Sequence, residues 1–539
     1  MKLYFIFFVC YFFSFVLNAQ VEIVEYDQVE WTRKENREEI ARIYYGEVDE
    51  AISNMKEQMK EPGKENDPEL LFGLSLAWSV KGDANNSFRY FEQALEQGLP
   101  VTRFMTKMPG FETLYDLNSF QERIEPHKNQ PVHGPLLGAM TDNTSKIWFR
   151  TWDESNVQVS LFAHENGRKK IIEETARTKA KEDYTAVVEI DGLKPDTRYY
   201  YRLTINGEPS DSTWSMKTVP ATGEPGVFKV GFGGCSAYNP TFERIWDTIA
   251  THDMDVFLTL GDNVYSNHHT LPQVNRFCYY QRQSRPEFKR FSSTIPYFGI
   301  WDDHDFGEND SYGGPKKYEP EWKVDILNVF KENFANPYYA SNGLPGVYFD
   351  YKIGDVQFFM LDGRYYREPS TLEDPSMLGE AQKEWLKKEL LNSNATFKVI
   401  VSPVNWSDDS KGLMAGRIDT WEGYKKEREE IFSFLGENKI QGVFLLSADR
   451  HRHDVWRHDR GSEYPLYEFT SSRLTNIHYH ALMSEALFGY NEKNGFAVLK
   501  FNTEAKYPYV VYTVYSIDNE LIQRIRVYLH QMSAINTND

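Results

Sequence analysis

Three rhythms of apolar and polar positions follow one another along this chain. Between residues 36 and 98, apolar residues recur at helical spacing in "EIARIYYGEVDEAISNMKEQM" and "ELLFGLSLAWSVKGDANNSFRYFEQALEQGLP". Each stretch carries a Gly-acid turn, Gly46-Glu47 and Gly82-Asp83. From about residue 131 the period drops to two, as in "NVQVSLFAHE" and "DYTAVVEIDGLKPDTRYYYRLTING", with turn signals such as Lys194-Pro195-Asp196 between runs. That pattern predicts the short strands of a β-sandwich over 131–219, closed by a linker, "ATGEPG". From residue 227 to about 531, unbroken apolar runs of strand length alternate with amphipathic helices such as "EAQKEWLKKELLNS". The expected architecture is multidomain: an all-α region over 20–125, an all-β sandwich, then a large α/β domain.

The apolar runs of the last region end alike. "FKVGFGGCS" ends at Cys235, "DVFLTLGDNVY" at Asp262, Asn263 and Tyr265, and "PYFGIWDDHD" at Asp303 and His304. "VQFFMLDGRYYR" ends at Asp362 and Arg364, "FKVIVSPVNW" at Asn405, and "GVFLLSADRHRHD" at Asp449, His451 and His453. Ligands of α/β sheets bind at the carboxyl ends of strands, so six such endings in succession point to one shared site. The stretch "YFGIWDDHDFGEND" over 297–310 is the most acidic. Packed carboxylates repel and are costly to desolvate, and a bound cation would compensate them. Taken alone, the stretch also reads as a solvated acidic loop.

At 539 residues the chain exceeds one compact core, and 41% hydrophobic with 26% charged residues reads as globular. A formal net charge of −19 sets it against phosphate-backbone binding, so no nucleic-acid partner is expected. The first residues, "MKLYFIFFVCYFFSFVLNA", place Lys2 before an apolar run over 3–17. This is the pattern of a secretory signal cut after Ala19, with a periplasmic or extracellular product. The run is short for a membrane span, and no later run is longer. Cleavage would leave only Cys235 and Cys278, which is no disulfide framework, although one bridge between them stays open. Cys278 has no strand-end placement.

Asp262, Asp303, Asp449 and Asn405 are hard oxygen donors and suit calcium, magnesium or manganese. Cys235 as thiolate, Tyr265 as phenolate and His451 suit a second ion, for which iron(III) fits. Two adjacent ions can clamp and polarise a phosphoryl group.

Residues 227–531 resemble the calcineurin-like metallophosphoesterases and, within them, the alkaline phosphatase D family. The elements that carry the resemblance are Gly234-Cys235-Ser236, Gly261-Asp262-Asn263-Val264-Tyr265, Asp303-His304-Asp305 inside "WDDHDF", and Ala448-Asp449-Arg450-His451, with "FFMLDGRYYR" and "EFTSSRLTN". Ala448 replaces the usual Gly, His453 offers a rival His451/His453 pair, and Asn405 stands where a His is usual. The sandwich resembles fibronectin type III/Ig-like modules. Trp78, Gly82, Tyr90, Phe91, Ala94 and Pro100 resemble a tetratricopeptide repeat, which implies a protein partner; an ordinary helical hairpin is the alternative.

The resemblance implies a secreted phosphoric ester hydrolase for monoesters and/or diesters. Its ions would be Fe3+ with Ca2+, or Mg2+, Mn2+ or Zn2+, held by Cys235, Asp262, Tyr265, Asp303, Asn405, Asp449 and His451. His304 and Asp305 would be catalytic, and Asn263 and Arg364 would hold phosphoryl oxygens. An Arg364–Asp362 structural pair is the other reading of Arg364. Two further functions stay open: an enzyme specific for diesters or phospholipids, and a degenerate phosphatase that binds partners through its helical and sandwich regions. The helical region offers no ligand and is expected to be separable from the chemistry.

Overall fold

The computed structural model describes residues 36–408 and 419–533, so the expected export signal over 1–19 lies outside the described residues. The chain begins with helices over 36–44, Val48–Gln58, Pro68–Val80 and Ala84–Glu96. Asp67 caps the third, accepting from the amides of Glu69 and Leu70 with Pro68 in the first turn, and Asp83 caps the fourth. Their shared core is aromatic: Phe72 lies 4.9 Å from Phe104, and Phe91 lies 4.8 Å from Phe104. No helix among the described residues is long and apolar enough to cross a membrane.

Next come β1 (His133–Met140), β2 (Ser145–Arg150), β3 (Asn156–Phe162), β4 (Lys170–Arg177), β5 (Thr185–Ile190), β6 (Arg198–Ile205), β7 (Glu208–Pro209) and β8 (Trp214–Lys217). They form a three-stranded sheet, β1-β2-β5, and a second sheet, β4-β3-β6-β7, with β8 on β6. The period-two pattern becomes alternating burial along β6, which turns Tyr199, Tyr201, Leu203 and Ile205 inward. Tyr199 accepts the Lys194 amide at 2.9 Å and closes the preceding corner. Arg150 ties this region to the rest, donating to Asp183, Gln283 and Asn333.

The large α/β region contains β9 (Val227–Gly233), β10 (Val256–Leu260), β11 (Tyr297–Ile300), β12 (Phe349–Ile353), β13 (Val356–Met360), β14 (Phe397–Val401), β15 (Val443–Ser447), β16 (His453–Arg460), β17 (Glu463–Ser471), β18 (Phe488–Tyr490), β19 (Gly495–Asn502), β20 (Tyr509–Ser516) and β21 (Leu521–Tyr528). Two mixed sheets result, β11-β10-β9-β19-β20-β21 and β12-β13-β14-β15-β17-β16-β18. The strands β10, β13, β14 and β15 are buried along their whole length, as continuous apolar runs in parallel sheets should be. Phe501 of the first sheet meets Phe358, Phe397 and Phe444 of the second, so the sheets pack face to face. Each such ring contributes about 1.5–3 kcal/mol by burial. Strands β9, β10 and β11 run parallel, as do β13, β14 and β15, so their carboxyl ends share one edge of the sandwich. Cys235 and Cys278 are both free thiols, and the bridge left open between them does not form.

Candidate metal centre

Each ligand candidate follows a strand closely: Cys235 after β9, Asp262 after β10, Asp303 after β11, Asn405 after β14 and Asp449 after β15. Asp262 is the hub. Its Oδ2 accepts from the Tyr265 hydroxyl at 2.7 Å and lies 3.6 Å from Cys235 Sγ, while its Oδ1 accepts the His304 amide at 3.3 Å. Cys235 Sγ also lies 3.5 Å from the Asp449 carbonyl. Donor atoms of Cys235, Asp262 and His451 lie within 4.8 Å of one another, and so do those of Asp262, Asp303 and His304. Asp262 belongs to both groups.

Four of these residues have left-handed backbones: Cys235 (φ 58°), Asp262 (φ 52°), Asp449 (φ 63°) and His451 (φ 48°). Such conformations cost about 1–3 kcal/mol each for residues with a Cβ, and cluster where function demands them. Gly261, at φ 104°, makes the turn into Asp262, and a Cβ there would come within 2.5 Å of Asp302. The strained loops are tied together. The Cys235 amide donates to Gly261 O at 3.2 Å, the Ser236 amide to Asp262 O at 2.8 Å, and the Asn476 amide to Cys235 O at 3.2 Å.

The charges are left unbalanced. Burial, then Asp303 and Asp302, pushes Asp262 well above the usual carboxylate range. Burial pushes the Cys235 thiol and Tyr265 phenol up, with Asp262 adding to each. Asp449 is pushed up to about 7 by burial, against the pull of Arg450, whose Nη1 stands 3.7 Å away. Burial alone would raise Asp303, but His304 and Arg364 outweigh it and hold it low. Asp449 Oδ2 and Asn405 Oδ1 are buried without a hydrogen-bond partner. Buried acids, a thiol and a phenol gathered at Asp262 fit bound cations, which reverse these shifts, and the orphaned Asn405 oxygen at the end of β14 is a further free donor.

Several expected residues do other work. Asn263 turns inward: its Nδ2 donates to Ile300 O at 3.0 Å and to Asp305 Oδ2, and its Oδ1 accepts from Thr259 and Tyr297. Its amide capacity is spent, which removes it as a holder of phosphoryl oxygens. Asp305 accepts the amides of Asp302, Asn263 and Val264 and the Tyr279 hydroxyl, so it is a loop anchor and not a catalytic group. Arg364 is also committed. Its Nε donates to Asp302 at 2.6 Å and its two Nη atoms to Asp419 at 2.7 and 2.9 Å. The alternative pairing with Asp362 is replaced as well, because Asp362 accepts from Trp301 and from the backbone of Val347, Arg364 and Tyr365. His453 lies in β16 and joins neither donor group, whereas His451 does.

Asn267 and Asp419 carried no local signal, and Asp310 only its place in the acidic stretch 297–310. Asn267 Oδ1 meets His304 Nδ1 at 2.6 Å, and the His304 ring stacks on Tyr265 at 4.2 Å. Asp310 and Asp419 form a third group of donors with Asp303. The helical region is not separate: Arg37 donates to the Tyr265 carbonyl at 2.5 Å, and Glu38 pairs with His268 at 3.0 Å. Cys278 leans on the same carbonyl, Sγ to O 3.8 Å.

A profile described as PhoD-like phosphatase matches residues 230–516. The chain belongs to the PhoD-like phosphatase family. A second profile, a domain of unknown function (DUF7800), matches residues 128–222. Alkaline phosphatase D of Bacillus subtilis (strain 168) is 25% identical over 333 residues, 53% of this chain and 56% of that protein. Purple acid phosphatase 15 of Arabidopsis thaliana is 29% identical over 221 residues, 38% of this chain and 37% of that protein. These alignments span about half or less of the relatives' own lengths. Among solved structures, that of PhoD superposes with a TM-score of 0.60 at 20% identity, covering 72% of this chain and 91% of the other. The purple acid phosphatase PPD1 of yellow lupin superposes at 0.53 and 12% identity, covering 74% and 75%. At those identities the likeness of this PhoD-like chain to both is one of fold.

Proposed function

We propose that this PhoD-like chain is an exported, metal-dependent phosphoric ester hydrolase that acts on phosphomonoesters, phosphodiesters or both. The observation that carries the reading is Asp262, whose carboxylate is shared by two groups of donor side chains. Cys235, Tyr265 and His451 would join Asp262 around Fe3+, which matches thiolate, phenolate and imidazole. Asp303, Asp449 and Asn405 would join it around Ca2+, which prefers oxygen. When bound, such a pair polarises a phosphoryl group and lowers the pKa of water beside it.

The chain's own residues do the rest. Asn267 Oδ1 accepts from His304 Nδ1 and leaves Nε2 as the titrating nitrogen; burial holds the ring below its ordinary range, so Nε2 would pass a proton to the departing oxygen only after taking one up. Tyr265 stacks on that ring and fixes its plane. Cys235, after β9, and Tyr265, after β10, hold Asp262 in place. With Asn263 and Arg364 committed elsewhere, the phosphoryl oxygens would be held by the bound cations. The apolar leader supports export, and the helical region's resemblance to a tetratricopeptide unit supports a protein-contacting role.

The test is hydrolysis of a chromogenic phosphate monoester and of a diester by the full chain, before and after chelation and after re-addition of Fe3+ and Ca2+. Loss on chelation with recovery on re-addition supports the proposal. Undiminished turnover by metal-free protein refutes it.

A further inference from the structure

On the outer face of the six-stranded sheet, far from the candidate centre, basic residues stand in ranks. Lys229 of β9 lies directly opposite Lys500 of β19. Lys500 is opposite Val511 of β20, and Val511 is opposite Arg526 of β21. Arg524 follows on the same strand, opposite Thr513. Like charges facing each other across strands are destabilising. Beside them Arg198 of β6 faces Lys217 of β8, but Lys217 is neutralised by Asp196 and Asp255 and lies outside the groove. Lys500, Arg524 and Arg526 are exposed, and no side-chain ion pair holds Lys500 or Arg524 among the described residues. In a chain of net charge −19, a face that gathers cations and tolerates their repulsion is shaped for an anion.

Lys229, Lys500, Arg524 and Arg526 line a groove of about 300 Å³ with no carboxylate in its described wall. Its floor is apolar and aromatic: Val498, Val511, Tyr509 and Tyr515. The Arg526 guanidinium lies 4.4 Å over the Tyr509 ring. A bare chain of phosphates would gain nothing from such a floor. A planar membrane surface would not reach into the hollow. Single-stranded nucleic acid uses both features, phosphates on the cations and bases or sugars on the apolar floor. Lys229 lies six residues before Cys235, about 20 Å away along an extended strand.

We propose that this groove is a binding site for single-stranded nucleic acid, separate from the metal centre. It is a local exception to the overall acidity that argues against such a partner. It does not depend on hydrolysis, so loss of phosphoesterase activity with binding retained would sink only the function proposed above.

The test is fluorescence anisotropy of a labelled oligothymidylate with the full chain at low and moderate salt. Binding should fall in the range roughly 10⁻⁴–10⁻⁶ M, and its logarithm should drop with log salt by about 0.7 per phosphate contacted. The triple variant Lys500→Ser/Arg524→Ser/Arg526→Ser should bind at least about tenfold more weakly. It should hydrolyse a small chromogenic ester as the parent does, which also reports its folding. Should that variant fail to fold, Lys500→Gln alone should weaken binding about two- to threefold and flatten the salt slope. Unchanged oligonucleotide affinity in a folded variant overturns the site. Equal affinity for inorganic polyphosphate, or capture by anionic vesicles without oligonucleotide binding, overturns the choice of ligand.

Discussion

Two clusters of buried acid lie side by side in this molecule and are treated in opposite ways. Asp419 sits between Arg364 and Arg367. Burial alone would raise it, but the two guanidinium groups outweigh burial and hold it far below the usual range. Across Asp302 and Asp303, Asp262 meets a thiol, a phenol and other acids, and no Lys or Arg pairs with it among the described residues. Burial is the same in both clusters, so burial does not distinguish them. The difference is compensation. Asp419 carries its own cations and is architecture, while Asp262 has none among the described residues and is suited to receive them.

The largest effect should come from Asp262→Asn, which removes the carboxylate common to both donor groups. Turnover should fall on the order of 10³-fold or more, the scale of losing a principal electrostatic group. In chelated protein the same change should raise Tm, because it removes one of several repelling acids. A lower Tm there would erase the contrast between the clusters.

Arg364→Ala should do the reverse. It strands Asp302 and Asp419 in the interior and should cost about 3–5 kcal/mol of stability in urea unfolding, with or without metal. A loss confined to turnover, at full stability, would return Arg364 to the substrate.

The pH dependence of metal-stripped protein sharpens the point. Asp449 is raised to about 7, so the folded state binds its proton more tightly than the unfolded chain does. Its contribution is complete below about pH 4, near the unfolded value, and is lost as pH rises through about 7. Chelated protein should therefore lose Tm across that window while metal-loaded protein does not. Parallel Tm profiles would contradict the assignment.

Smaller effects separate the ligands. Cys235→Ser should abolish a thiolate-to-metal absorption band and cut turnover, while Cys235→Asp should retain more activity because it restores charge. Cys278→Ser should change little, since a hydroxyl can donate to the same Tyr265 carbonyl. Equal spectra and metal content in parent and Cys235→Ser would make Cys235 a packing residue. Arg37→Ala should lower kcat only severalfold and shift any phenolate band of Tyr265, with Arg37→Lys restoring part of it.

Much of this was legible in the chain. The runs "VFLTL", "VQFFM", "FKVIV" and "VFLLS" are strands because unbroken apolar runs of that length bury both faces, and chemistry gathered at their ends because parallel strands share a carboxyl edge. What local pattern could not reveal was direction. Asn263 and Asp305 stand inside motifs that look catalytic, yet their side chains serve each other and the backbone. Arg364 finds Asp419 across 55 positions, and Arg37 finds Tyr265 across 228. The left-handed turns at Cys235, Asp262, Asp449 and His451 are a second hidden feature, since only tertiary contacts hold such residues there.

The central claim is that the uncompensated cluster holds metal ions and the compensated one does not. Elemental analysis of purified full chain beside Asp262→Asn and Asp419→Asn tests it most directly. Two ions per chain are expected in the parent, with loss of both in Asp262→Asn and retention of both in folded Asp419→Asn. A parent without metal, or an Asp262→Asn protein that keeps its full complement, would contradict it.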